Sequence, residues 1–168
     1  MITASVVLVT GGLPNRADYS GRVIEGLGRV APEIGEIAPP FEQATLTGDT
    51  INLLDLRGES VIVNFWATWC TPCIAEMPAL QAFHDDSGIR ILGVNMAEQQ
   101  FIVEQWIAAN LITFDILLDP QGQVIEDYRL RGQPSTYVIA PDGIITHIFY
   151  GPVSMDDLRN ALITHNNG

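Results

Sequence analysis

Val61-Ile62-Val63-Asn64-Phe65-Trp66-Ala67-Thr68-Trp69-Cys70-Thr71-Pro72-Cys73 is the stretch whose reading decides the fold. It holds the only cysteines, Cys70 and Cys73, of a 168-residue chain. Val61 to Ala67 is an apolar run rich in β-branched and aromatic residues, the pattern of a buried strand. From Ile74 to Asp85, the apolar residues Met77, Leu80 and Phe83 recur at helical spacing. Cys70 therefore falls where a strand ends and a helix begins. The start of a helix presents unpaired N–H groups and a partial positive charge, and both favour thiolate over thiol. In such settings the cysteine pKa drops from about 8.5 to roughly 3.5–7.5. Pro72 suits the first helical turn, where a missing N–H costs little.

Three other readings of the pair are weaker. A structural disulfide across so short a loop would constrain the unfolded chain little. A structural zinc site needs four ligands, and His84, His147 and His165 stand at no metal-type spacing to the cysteines or to each other. Two inert buried thiols would not need a strand before them and a helix after them. The expectation is a redox pair that needs no cofactor beyond its own Cys70–Cys73 disulfide.

Size and charge set the frame. The chain has room for one domain with a sizeable core, and 47% of its residues are hydrophobic. Its formal net charge is -12, and its eight basic residues are all arginine. Nucleic acid is excluded as a partner on that balance, and so is docking through a basic patch on anionic lipid. No apolar span reaches the length needed to cross a membrane unaided. Ile2 to Val9 is apolar but short, with no basic residue before it. It reads equally as the trailing end of a trimmed membrane anchor or as a short strand. The expected organisation is a glycine-rich extension over residues 1–34, with a short helix around Val23 to Leu27, followed by a domain over 35–168.

Within that domain the order is a β-hairpin (Phe41–Thr45 with Thr50–Leu53), one helical turn ended by Gly58, the strand before the cysteines, and the cysteine-bearing helix. A second buried strand over Ile89–Asn95 follows, then a helix over Phe101–Asn110 and a strand over Phe114–Leu118. A short helix over Val124–Leu130 leads to a closing hairpin turned at Pro141-Asp142-Gly143. Ser154 caps a last helix with Asp156 and Asp157 in its first turn. Alternating strands and helices imply right-handed βαβ units. The fold class is α/β, with a central mixed sheet and helices on both faces. Trp106 reads as core, and the three histidines read as surface or helix-end residues.

Several stretches together resemble the thioredoxin fold, and within it the exported thiol-disulfide oxidoreductases of the TlpA and ResA type. They are Val63 to Cys73, Pro78 inside the following helix, Val94-Asn95, Gln133-Pro134-Ser135-Thr136, and Gly35-Glu36-Ile37-Ala38-Pro39-Pro40-Phe41. The resemblance covers about residues 35 to 165. It implies a cis peptide bond at Gln133-Pro134, with Gln133 and Ser135 close to the cysteines. Trp69, Thr71 and Pro72 would complete the surface that meets a protein substrate. It also implies protein thiol or disulfide partners such as apocytochrome c, an upstream electron donor, and an extracytoplasmic, membrane-anchored setting. A monomer is the default. Asn64 stands where many thioredoxins carry a buried aspartate, and Glu76 stands where this branch places its acid. Cys70, Cys73 and Glu76 follow one another along the helix at i, i+3 and i+6. Two alternatives stay in view. A peroxiredoxin-type peroxidase would need a threonine three residues before its cysteine and a supporting arginine, for which Arg57 and Arg90 are nearest in sequence. A copper carrier would pair the cysteines with His147.

Overall fold

The computed structural model describes residues 22–24 and 28–166. They form nine strands, four α-helices and one short 3-10 helix, Leu53–Leu56. The first described elements are β1 (Arg22–Ile24) and β2 (Gly28–Val30), then β3 (Glu42–Ala44), β4 (Thr50–Asn52) and β5 (Val61–Trp66). Helix α1 (Thr71–Ser87), β6 (Arg90–Met96), α2 (Gln100–Asn110), β7 (Asp115–Asp119) and α3 (Gln123–Asp127) follow. The chain closes with β8 (Ser135–Ile139), β9 (Ile145–Tyr150) and α4 (Met155–Asn166). The central sheet has the order β7-β6-β5-β8-β9. β5, β6 and β7 run parallel, while β8 and β9 are antiparallel additions. This is the mixed sheet expected from the sequence.

Strand β5 is buried along its whole length. Its side chains alternate between two faces, as a pleated strand requires. Asn64 reaches Glu76 of α1, and the Trp66 ring lies 5.1 Å from that of Trp106 on α2. Phe65 points the other way, with its ring 5.0 Å from Tyr128 and 5.8 Å from Tyr137. Helices α1 and α4 pack together on the Asn64 side. The aromatic cluster of Phe41, Phe65, Tyr128 and Tyr137 fills the opposite side.

Both sheet edges are covered, which blunts edge-to-edge association. The β3–β4 hairpin bridges to β7 through Thr45 and Leu117. On the other edge, Gly35 and Glu36 exchange backbone hydrogen bonds with Ile145 at the start of β9. One expectation needs correction. Arg22–Ile24 is a strand paired antiparallel with Gly28–Val30, so Val23 and Ile24 are extended where a helix was expected; residues 25–27 of that reading lie outside the described residues. Val23 and Ile24 are β-branched, and cross-strand pairing suits them better than a helix in so glycine-rich a stretch. Trp106, expected in the core, is half-buried and packs against it, with its ring 5.1 Å from that of Trp66. Ile2 to Val9 lies outside the described residues.

One glycine is required for packing. A Cβ on Gly93 of β6 would sit 2.9 Å from Ile116 Cδ1, 3.0 Å from Phe114 Cε2 and 3.2 Å from Trp66 Nε1. The strand crosses directly under the Trp66 ring, and no side chain fits between them. Gly93→Ala is expected to cost about 1–3 kcal/mol by overpacking, read as a lower midpoint in chemical unfolding at unchanged slope.

Candidate active site

The strand-to-helix junction positions the cysteines. Ala67 accepts a hydrogen bond from the Cys70 N–H at 3.2 Å, closing a tight turn over residues 67–70. Cys70 is then the N-cap of α1, and its Sγ accepts from the Cys73 N–H at 3.3 Å. The helix therefore aims a backbone donor at the sulfur that carries negative charge once reduced. Pro72 sits in the first turn, where it sacrifices no hydrogen bond. The helix runs on through Pro78 and ends at Gly88, whose φ of 68° lies in the left-handed region.

Cys70 and Cys73 are joined in a disulfide of 2.00 Å. Their surroundings differ. Cys70 keeps 5% exposure and Cys73 none. Trp69 beside them is 61% exposed, and Thr71 and Pro72 are exposed as well. A partner can thus reach one sulfur from a rim of three outward-facing residues. The Gln133-Pro134 peptide bond is cis, as the resemblance implied. Pro134 and Ser135 are buried and Gln133 is half-buried. Ser135 is paired with Phe65 at the end of β5 that leads into the cysteines, and its hydroxyl donates to Gly132 O at 2.7 Å.

Glu76 is not a solvated helix residue. It is 2% exposed, on the face of α1 that meets β5 and the start of the last segment. Asn64 Nδ2 donates to its Oε1 at 2.7 Å, and the Val153 N–H donates to its Oε2 at 2.8 Å. Loss of hydration pushes its pKa up from 4.5 to about 7, against the opposing pull of those two hydrogen bonds. Asn64 also donates to Thr136 Oγ1 at 3.0 Å. The helix thus carries, one turn beyond the sealed cysteine, a carboxyl group balanced between its two protonation states at neutral pH.

Sequence reasoning noted Asn64 only as the absence of an acid. Its role as Glu76's partner went unseen, and so did the Val153 N–H, which no side-chain pattern could reveal. It also missed Glu98. That half-buried carboxylate accepts from Thr68 Oγ1 at 2.5 Å, from the Thr68 N–H at 2.7 Å and from Asn95 Nδ2 at 2.8 Å.

The two alternatives lack their residues at the site. Arg90 stands opposite Val61, at the far end of β5 from the cysteines, and pairs with Glu59 and Asp115. Arg57 binds the Asp142 carbonyl on the closing hairpin's turn. A peroxidase's supporting arginine is thus supplied by neither. His147 lies opposite Val138 within the β8–β9 pair and stacks on Phe149 at 6.3 Å. Among the described residues, no group of three His, Cys, Asp or Glu is placed to hold a metal ion.

Comparison with known proteins agrees with the geometry. Residues 34–148 match the AhpC/TSA family. The thiol-disulfide oxidoreductase ResA of Oceanobacillus iheyensis is 36% identical over 136 residues, covering 77% of this chain and 71% of that one. The crystal structure of StoA from Bacillus subtilis superposes with a TM-score of 0.66 at 31% identity, over 74% of this chain and 96% of that one. An exposed lipoprotein thioredoxin from Streptococcus pneumoniae gives a TM-score of 0.67 at 25% identity, over 74% and 99%. With an accessible sulfur bridged to a sealed one at a helix start, and with relatives of this kind along most of its length, the chain belongs to the AhpC/TSA family and is a thiol-disulfide oxidoreductase of the ResA kind.

Proposed function

We propose that this oxidoreductase works as a reductase of disulfides in exported proteins, with residues 35–168 as its working domain and 1–34 as an extension. The observation that carries the reading is the buried Glu76 carboxyl, held near neutrality one turn beyond Cys73. A reductase must deprotonate its second cysteine on demand, and a base with a pKa near the working pH does that best.

The cycle begins with the reduced pair. The Cys70 thiolate attacks a partner's disulfide, forming a mixed disulfide and expelling the partner's other sulfur as thiolate. Cys73 then gives its proton to Glu76, directly or through water, and attacks the Cys70 sulfur. The Cys70–partner bond breaks and the partner's second sulfur leaves. The partner gains two electrons, and Cys70–Cys73 becomes the disulfide. Trp69, Thr71 and Pro72 form the rim of the contact. Gln133, Pro134 and Ser135 form its opposite wall, against which an extended partner segment lies. The CxxC segment of an apocytochrome c is the kind of partner proposed, with a second dithiol protein as upstream electron donor and a monomer as the working form. The exposed lipoprotein thioredoxin among the structural neighbours supports an extracytoplasmic, anchored setting.

A redox titration followed by tryptophan fluorescence tests the direction of flow. The expected potential is at or below about -200 mV, and a value near the oxidising end, about -120 mV, would overturn the reductase reading.

A further inference from the structure

Helix α1 has no acidic residue in its first turn. An acidic side chain reaches the Cys70 turn instead from the loop after β6. Ala97 there adopts a φ of 55°, in the left-handed region that non-glycine residues enter reluctantly. That reversal returns Glu98 toward the end of β5. Its two carboxylate oxygens accept three hydrogen bonds, from the Thr68 N–H, the Thr68 hydroxyl and the Asn95 side-chain amide. All three bonds run into the carboxyl group and hold it against the turn. Asn95 is itself fully buried and paired with Trp66, so the loop is fastened to the core from both sides.

Thr68 lies inside the tight turn that Ala67 and Cys70 close. Two residues of extended chain span at most about 7 Å, and the 2.7 Å hydrogen bond and the cysteine side chain add roughly as much again, so the carboxylate sits within about 14 Å of the Cys70 sulfur. We propose that Glu98 is a positioning residue that clamps the turn presenting Cys70 and, by its charge, makes the reduced pair a stronger electron donor. The clamp fixes the turn through the Thr68 backbone. The charge opposes the Cys70 thiolate, working against the helix end that favours it. A thiolate held at higher energy makes the dithiol less stable relative to the disulfide, and the couple more reducing.

This role deepens the reductase reading and rests on it, but the measurement separates the two. The wild-type potential tests the direction of flow; the difference between variant and wild type tests Glu98. The experiment equilibrates the purified protein with glutathione at pH 7. Two glutathione thiols convert the Cys70–Cys73 disulfide to the dithiol and leave as oxidised glutathione. Glu98→Gln keeps one oxygen for the Thr68 donors and removes the charge. Its equilibrium constant is expected to move toward the dithiol by about 3- to 5-fold, the size expected of one partly screened charge. Glu98→Ala should shift in the same direction by at least as much, and Glu98→Asp should remain within about 2-fold of wild type. Arg159→Gln, which breaks a distant surface pair with Asp86, is the control that leaves the constant unchanged. If Glu98→Gln stays at the wild-type value or moves toward the disulfide, the proposal is wrong. A shift in Glu98→Ala without one in Glu98→Gln overturns it as well, since geometry and not charge would then set the couple.

Discussion

Cys73→Ser is expected to stop the enzyme at the mixed disulfide and to lower multiple-turnover reduction by about 10³-fold or more. The argument is one of effective concentration. Cys73 is held one helical turn from Cys70, with its N–H already bonded to the Cys70 sulfur. Well-oriented intramolecular groups react as if present at about 10⁵ M or above, and no external thiol approaches that. Without Cys73 the partner stays attached to Cys70 and is detectable by mass spectrometry after non-reducing separation. The converse variant carries equal weight. Cys73 has no exposure, so Cys70→Ser should form no adduct with a protein disulfide under the same conditions. Equal trapping by the two variants would mean that the sealed sulfur attacks as readily as Cys70, and trapping by Cys70→Ser alone that the roles assigned from burial are reversed. Run in the native host, the Cys73→Ser adduct also identifies the partner, which the proposed cytochrome-type reading must then match.

Much of this architecture is legible in the residues themselves because it is local. The run from Val61 to Trp66 admits only a strand buried on both faces, and the cysteine pair follows at the one place where a helix start can activate it. The β3–β4 and β8–β9 hairpins announce themselves through their turns, Thr47-Gly48-Asp49 and Pro141-Asp142-Gly143, whereas the β1–β2 pair does not. What stays hidden depends on residues far apart in the chain. Glu98 meets Thr68 across 30 positions, and Glu76 meets the Val153 N–H across 77. The second contact uses a backbone donor, which any residue but proline would supply, so no sequence pattern marks it. Trp106 joins the core only in part, because α2 is largely exposed: Val103 is its buried residue, while Trp106 and Ile107 pack against the core half-buried.

Glu76→Gln is expected to slow the attack of Cys73 on the mixed disulfide by about 10²-fold, at the lower end of what a positioned general base contributes. It should also erase a pH inflection. Only the ionised carboxylate can take the proton, so the wild-type rate rises as pH passes through about 7; the variant lacks that step. Stability moves with the same group. Below pH 4.5 the carboxyl is protonated in folded and unfolded chains alike. Between 4.5 and about 7 the folded chain retains a proton that the unfolded chain has lost, so stability falls as pH rises. The loss is complete above that window and amounts to at most about 3 kcal/mol. Glu76→Gln removes the titration, so unfolding measured at pH 4.5 and 7.5 should move the variant's stability upward relative to wild type as pH increases. The amide can be accommodated without loss of fold. Its carbonyl faces the Val153 N–H, and its NH₂ faces Asn64, whose Oδ1 has no hydrogen-bond partner and can turn to accept. That makes a kinetic defect in a variant of equal or greater stability the expected signature. A variant with the wild-type rate and an unchanged inflection near 7 would remove Glu76 from the proton path and leave water as the acceptor.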